Sequence, residues 1–142
     1  MGIHRMELVV RPTDVDVLGH VNNAKYLEYL EWGRVRWYRE NRLLSPDVLE
    51  QNLNYVVASI HINYRLEVKM DERLTVQTFL ARLGNSSMVL KQEILNEQGQ
   101  RVADAEVIIV LFDTSLRKST PFPEAMRKRL EALVVTESGP AV

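Results

Sequence analysis

The feature that most constrains this chain is a change of period along it. Apolar side chains recur at helical spacing over residues 24–39, and from residue 56 to residue 112 the repeat becomes that of extended strands. With about 100° per residue, Tyr26, Leu30, Gly33 and Trp37 share one helix face, flanked by Leu27 and Tyr29. Glu28, Glu31, Arg36 and Arg39 lie mostly away from it. A glycine inside a helix costs roughly 1 kcal/mol against alanine, so a close neighbour is expected at Gly33. Asn22 or Asn23 can cap the helix start, because an asparagine side chain accepts from the free amides of the first turn.

The strand-like part divides at its turns. Val56, Ala58, Ile60, Ile62 and Tyr64 alternate with Val57, Ser59, His61, Asn63 and Arg65, one face apolar. Leu74, Val76 and Leu80 mark a second strand ending near Gly84-Asn85, and Met88, Leu90 and Ile94 a third. Asn96-Glu97-Gln98-Gly99 is a hairpin turn. Val102 to Phe112 is apolar on both faces towards its end, which suits a central or interfacial strand. Ahead of the helix, Met6 to Val10 reads as an edge strand stopped by Pro12. Ser45-Pro46-Asp47 has the form of a capped start of a short second helix. Thr120-Pro121-Phe122-Pro123 opens a closing helix through about Leu133. Short turns imply antiparallel neighbours, so the expected class is α+β, an antiparallel five-stranded sheet covering one long helix. One domain is expected over residues 1–134, with a frayed tail over 135–142.

Charge and composition narrow the function. The 18 basic and 19 acidic residues are interspersed and leave a net charge of −1, so no long-range field draws the chain to nucleic acid or an anionic membrane. With no cysteine, disulfides, thiolate nucleophiles and cysteine-ligated metals are excluded. Residues 1–7 lack the apolar core of a signal peptide. The longest apolar run, Val107 to Phe112, falls far short of the ~20 residues that cross a bilayer. A cytoplasmic location is expected.

The chemistry lies between Arg11 and Arg34. A polar loop containing Asp14, Asp16, Gly19, His20, Asn22 and Asn23 feeds the start of the apolar helix. Exposed amides and the positive end of the helix dipole favour a developing oxyanion there. A carboxylate beside that end can attack an electrophile or activate water. The pairing suits acyl transfer and needs no metal.

This segment resembles the signature of the 4-hydroxybenzoyl-CoA thioesterase-like group of hotdog-fold proteins, an Asp-x-Asp-x-x-Gly-His-Val-Asn loop leading into a Tyr-Leu…Glu…Arg helix. Here the pattern stands as Asp14, Asp16, Gly19, His20, Val21, Asn22, Asn23, Tyr26, Leu27, Glu31 and Arg34. The similarity continues through Ile62-Asn63-Tyr64 with Glu67, through Arg82-Leu83-Gly84-Asn85-Ser86-Ser87, and through Phe112-Asp113 with Pro121 and Pro123. The chain departs from many relatives at Leu66, where they carry proline, and at Met70-Asp71, where they carry Gly-Asp. The resemblance implies a hotdog fold and an acyl-coenzyme A thioesterase. Asp16 would be the catalytic carboxylate and the Asn23 backbone amide the group that polarises the thioester carbonyl. It also implies a homodimer or homotetramer with the acyl group in a groove between subunits, and no cofactor beyond the coenzyme A of the substrate. The candidate substrate-binding residues are Val21, Asn22, Tyr26, Ser59, His61 and Arg82.

Each residue also has a structural reading. Asp16 alone could be an Asx-turn residue; within the motif, catalysis is the stronger reading. For Asp14 a structural role bonding loop amides is expected. His20 either orients the loop or acts as an acid–base group. Glu31 and Arg34 suggest an i,i+3 ion pair. A haloacid-dehalogenase-type phosphatase would need an apolar strand before its Asp-x-Asp, and Arg11-Pro12-Thr13 is not one. A metal on Asp14, Asp16 and His20 lacks further ligands. A non-catalytic acyl-thioester-binding module would be expected to carry a DNA-binding domain as well. An acyl-carrier-protein thioesterase remains an alternative, and a hotdog dehydratase would place its histidine in another motif.

Overall fold

The structure, a computed structural model, describes residues 2–136. In chain order the elements are β1 (His4–Val9), α1 (Asn23–Glu40), β2 (Leu53–Tyr64), β3 (Arg73–Leu83), β4 (Ser87–Leu95), β5 (Arg101–Asp113), β6 (Lys118–Ser119) and α2 (Glu124–Glu131). The strands form one antiparallel sheet in the order β1-β3-β4-β5-β2, with β6 on β5. This is the hotdog architecture, the sheet packed on α1. The two-residue β6 brings the sheet to six strands where five were expected.

The helix forms as its period requires. Asn22 is the N-cap, its side chain accepting from the Ala24 amide at 2.9 Å. Tyr26, Tyr29, Leu30, Gly33 and Trp37 are buried against the sheet. A Cβ on Gly33 would lie 2.6 Å from Val76 Cγ1 and 3.2 Å from Gln92 Nε2 and Thr78 Oγ1, so the glycine is where helix and sheet touch. Arg34 does not pair with Glu31. It turns inward, is buried, and donates to Gln92 Oε1 at 3.1 Å, while Gln92 Nε2 donates to the Leu30 carbonyl and Thr78 Oγ1. Glu31 stays exposed.

Three local expectations are corrected. Residues 41–49 form turns and not a helix; the Val48 and Leu49 amides both return to the Ser45 carbonyl. Leu43 and Val48 are buried, so this segment is fixed to the core at both sides within too few residues for a second helical turn. β2 does not lie beside β3. The chain crosses after Tyr64, and β2 pairs with β5 at the far edge. A bulge at Ala58 also reverses the alternation within β2, because the register shifts between Val57 and Ser59. Val56 therefore faces opposite to Ile60, Ile62 and Tyr64. The tail expected over 135–142 lies, from residue 137 onward, outside the described residues; Val134 bridges to Leu80, and the Val135 amide donates to the Leu80 carbonyl.

Candidate active site

The loop around Asp16 is a small hairpin. Val15 and Val21 bridge as antiparallel neighbours, the Asp16 amide donates to the His20 carbonyl at 2.9 Å, and the Gly19 amide donates to the Asp16 carbonyl at 3.0 Å. Gly19 closes the turn at φ +84°, a left-handed conformation that favours glycine. Asp16 Oδ1 accepts from the amides of Leu18 at 2.9 Å and His20 at 3.3 Å. These bonds explain the Asp-x-x-Gly spacing: an Asx side chain starts the turn and a glycine three residues later ends it. Asp16 Oδ2 has no partner among the described residues.

The β4–β5 hairpin is built the same way around Asn96. Its Oδ1 accepts from the amides of Gln98 and Gln100, its own amide donates to the Gln100 carbonyl, and Gly99 closes the turn at φ +78°. The two turns share the same four turn bonds, with an amide side chain at one and a carboxylate at the other; Asn96 adds one more, its Nδ2 donating to Gln100 Oε1 at 2.9 Å.

Asp14 anchors the loop from below. Its carboxylate is buried and accepts from the Tyr29 hydroxyl at 2.7 Å and from the Arg11 amide at 3.1 Å, with Lys25 Nζ at 3.8 Å. Burial, reinforced by this hydrogen bond to Asp14, pushes the Tyr29 hydroxyl up from its ordinary value, so it remains a donor. The Asn22 amide donates to the Asp14 carbonyl, and the Val21 amide to the Val68 carbonyl, which ties the loop to the segment after β2.

These elements enclose a cleft of about 330 Å³. Asp16, His20, Val21, Asn23 and Tyr26 line it, bringing five of the expected residues together. Asn22 stands beside it as the helix cap. At the helix start, no acceptor for the Asn23 N–H is present among the described residues. The remaining candidates lie elsewhere. His61 pairs in register with exposed Glu106, Ser59 with exposed Ile108, and Arg82 with Val89, all on the sheet face turned away from α1. The far wall consists of Tyr64, Arg65, Leu66 and Glu67, which were not singled out as site residues. His20 Nε2 lies 3.4 Å from Glu67 Oε2, and the Tyr26 and Tyr64 rings meet edge-on at 5.2 Å. Tyr64 and Glu67 belong to the stretch that carries the family resemblance, but no residue chemistry there marks the four as a cleft wall. The return of β2 beneath the loop puts them there, seen in the bridge between His20 and Lys69. Among the described residues, Asp14, Asp16 and His20 do not gather into a group that could hold a metal ion.

A family model described as the thioesterase-like superfamily matches residues 10–130. The chain belongs to that superfamily. The membership agrees with the resemblance carried by the loop, and the expected enzyme class, thioester hydrolase, is that of the family's named members. The long-chain acyl-CoA thioesterase FadM of Escherichia coli K12 is 37% identical over 130 residues, spanning 90% of this chain and 97% of the relative. Among solved structures, the probable thioesterase YbaW of Escherichia coli superposes with a TM-score of 0.73 at 34% identity, covering 92% of this chain and 98% of that one. A thioesterase of Thermus thermophilus, complexed with coenzyme A and Zn, superposes with a TM-score of 0.77 at 30% identity, covering 93% and 94%.

Proposed function

We propose that this chain hydrolyses acyl-coenzyme A thioesters to the free acid and coenzyme A, with Asp16 as the reacting carboxylate. The observation that carries the assignment is the match between the turns at Asp16 and Asn96. Asn96 shows that an amide oxygen accepts the same two turn bonds that Asp16 Oδ1 accepts, so the turn does not demand a carboxylate at position 16. The carboxylate that is present keeps one oxygen on two amides, has no partner for the other among the described residues, and lines the cleft.

In this reading the thioester carbonyl sits at the start of α1, where the Asn23 N–H donates to the developing oxyanion and the helix dipole adds to it. Oδ2 of Asp16 then follows one of two routes. It attacks the carbonyl carbon, the coenzyme A thiolate leaves, and water cleaves the resulting mixed anhydride. Alternatively it takes a proton from water, and that water attacks. Oxygen-18 from labelled water appearing in Asp16 during a single turnover supports the first route; label confined to the released acid is the outcome of the second route and also of anhydride cleavage at the acyl carbon. His20 orients Asp16 through its main-chain groups, and its imidazole meets Glu67 at the cleft wall.

A homodimer, alone or paired into a tetramer, belongs to the same proposal. Among the described residues β2 pairs on one side only, and its Val56 and Val57 are exposed. At the hairpin tip Val17 is 101% and Leu18 75% exposed, apolar side chains that a second subunit would cover. A catalytically active monomer in light scattering would remove this part of the proposal.

The deciding experiment is free-thiol release from short-, long- and aryl-acyl coenzyme A, comparing the wild type with Asp16→Asn. Long chains come first because of the substrate named for the Escherichia coli relative. Asp16→Asn reproduces the Asn96 arrangement and keeps the turn, so the expected result is a folded protein whose hydrolysis falls by orders of magnitude. Hydrolysis retained by the variant would remove Asp16 from the chemistry. Binding without hydrolysis by the wild type would make the chain a ligand-holding module.

A further inference from the structure

A second concavity, separate from the cleft, lies between β1 and the outward side of α1, with a volume of about 910 Å³. One wall is aliphatic, formed by Met6, Leu8, Val9 and Val35. Trp32 is partly exposed in it, and Arg36 and Arg39 follow at i+4 and i+7 on the same helix stripe. Arg73 stands opposite Val9 at the head of β3, and Arg11 closes the loop end.

None of these four guanidinium groups has an ion pair or a hydrogen-bond acceptor among the described residues. Elsewhere Arg65, Arg101 and Arg127 each meet a carboxylate. Of the two acids that line the groove, Asp14 is already engaged by Tyr29 and Lys25, which leaves Glu7 against four cations. On a chain of net charge −1 this concentration of positive charge is local.

We infer that this groove binds an anionic amphipath, an aliphatic chain ending in a carboxylate or a phosphate. The arginine fork matches the planar or tetrahedral oxygens of such a head group. The aliphatic wall and the single indole suit a chain lying lengthwise better than a base stacked between two rings. The volume falls within the range of sites for small ligands, roughly 300–1,000 Å³. The loop over residues 11–16 separates the two concavities, with Asp14 facing the groove and Asp16 facing the cleft.

The inference does not rest on the hydrolytic reading, so binding is measured in the Asp16→Asn protein. Trp32 is the reporter, with Trp32→Phe giving the background from buried Trp37. Titration with dodecanoate and with dodecyl phosphate is expected to change the Trp32 emission saturably. Arg36→Gln/Arg39→Gln, on an exposed helix face, is expected to weaken both at least tenfold with an unchanged circular dichroism spectrum. Dodecanol, a chain without the anion, and acetate or inorganic phosphate, anions without the chain, are each expected to bind at least tenfold more weakly. Tighter binding of dodecanoate points to a free fatty acid as the source of the ligand, and tighter binding of dodecyl phosphate to a phosphorylated lipid. Equal affinity for dodecanol and dodecanoate, an unaltered affinity in the double variant, or binding of ADP in place of the amphipaths would overturn the assignment.

Discussion

The Tyr29 hydroxyl donates a 2.7 Å hydrogen bond to the buried carboxylate of Asp14, two residues before Asp16 in the chain. This bond joins the helix to the loop that carries the reactive group. Tyr29→Phe leaves a buried carboxylate oxygen without its closest donor, a loss of about 1–3 kcal/mol. Urea unfolding should show that loss. Thiol-release kinetics should show kcat falling more than KM rises, because Asp16 is misplaced while the cleft wall remains.

The two matched turns provide an internal control. A Cβ at Gly19 or at Gly99 meets nothing within 4 Å, so Gly19→Ala and Gly99→Ala suffer only from the left-handed backbone. Each is expected to lose about 1–2 kcal/mol of stability. Hydrolysis should fall with Gly19→Ala alone. Equal activity in the two variants would show that the geometry at Asp16 does not matter to the reaction.

Gly33→Ala sets two effects against each other. The helix gains about 1 kcal/mol in propensity, while a methyl 2.6 Å from Val76 Cγ1 forces repacking that costs about 1–3 kcal/mol. Val76 is β-branched and stiff, so the second effect is expected to dominate and the melting temperature to fall. Adding Val76→Ala should restore part of the loss relative to Val76→Ala alone, which distinguishes a clash from a general weakening of the core.

Asp113 governs part of the acid response. The Ser115 hydroxyl foremost, then the Leu116 amide, hold its carboxyl down at about 2, against about 3.9 for an unfolded aspartate. A depressed folded value contributes stability that is complete above the unfolded value and lost as pH falls towards the folded one. Asp113→Asn should therefore be less stable than the wild type at neutral pH, and the gap should close between about pH 4 and about pH 2 in urea titrations.

Much of this could be read from residue order. The stripe Tyr26, Leu30, Gly33 and Trp37 is the buried face of α1, and the glycine marks the close approach it suggested. The hairpins β3–β4 and β4–β5 follow from alternation and turn chemistry, because both are local in the chain. The pairing of β2 with β5 is not local. It depends on a crossover whose length and composition do not reveal its direction, and the Ala58 bulge is invisible to a strict period of two. The same limit applies to the site. One side of the cleft is a continuous motif, whereas Tyr64 and Glu67, at and just beyond the end of β2, carry the resemblance without any sign that they face the loop. The four groove arginines are equally obscure, since Arg11, Arg36, Arg39 and Arg73 converge only once β1 lies against α1.

The likeness of the loops at Asp16 and Asn96 bears on how such a protein changes over generations. If chemistry rests on Asp16, exchanging one side-chain oxygen for an amino group silences it while the turn, the sheet and both concavities persist. Catalysis and foldability are then separate targets of selection at this position. A descendant can stop turning over substrate and still be kept as a protein that holds one, and the reverse exchange restores the reagent without rebuilding anything around it.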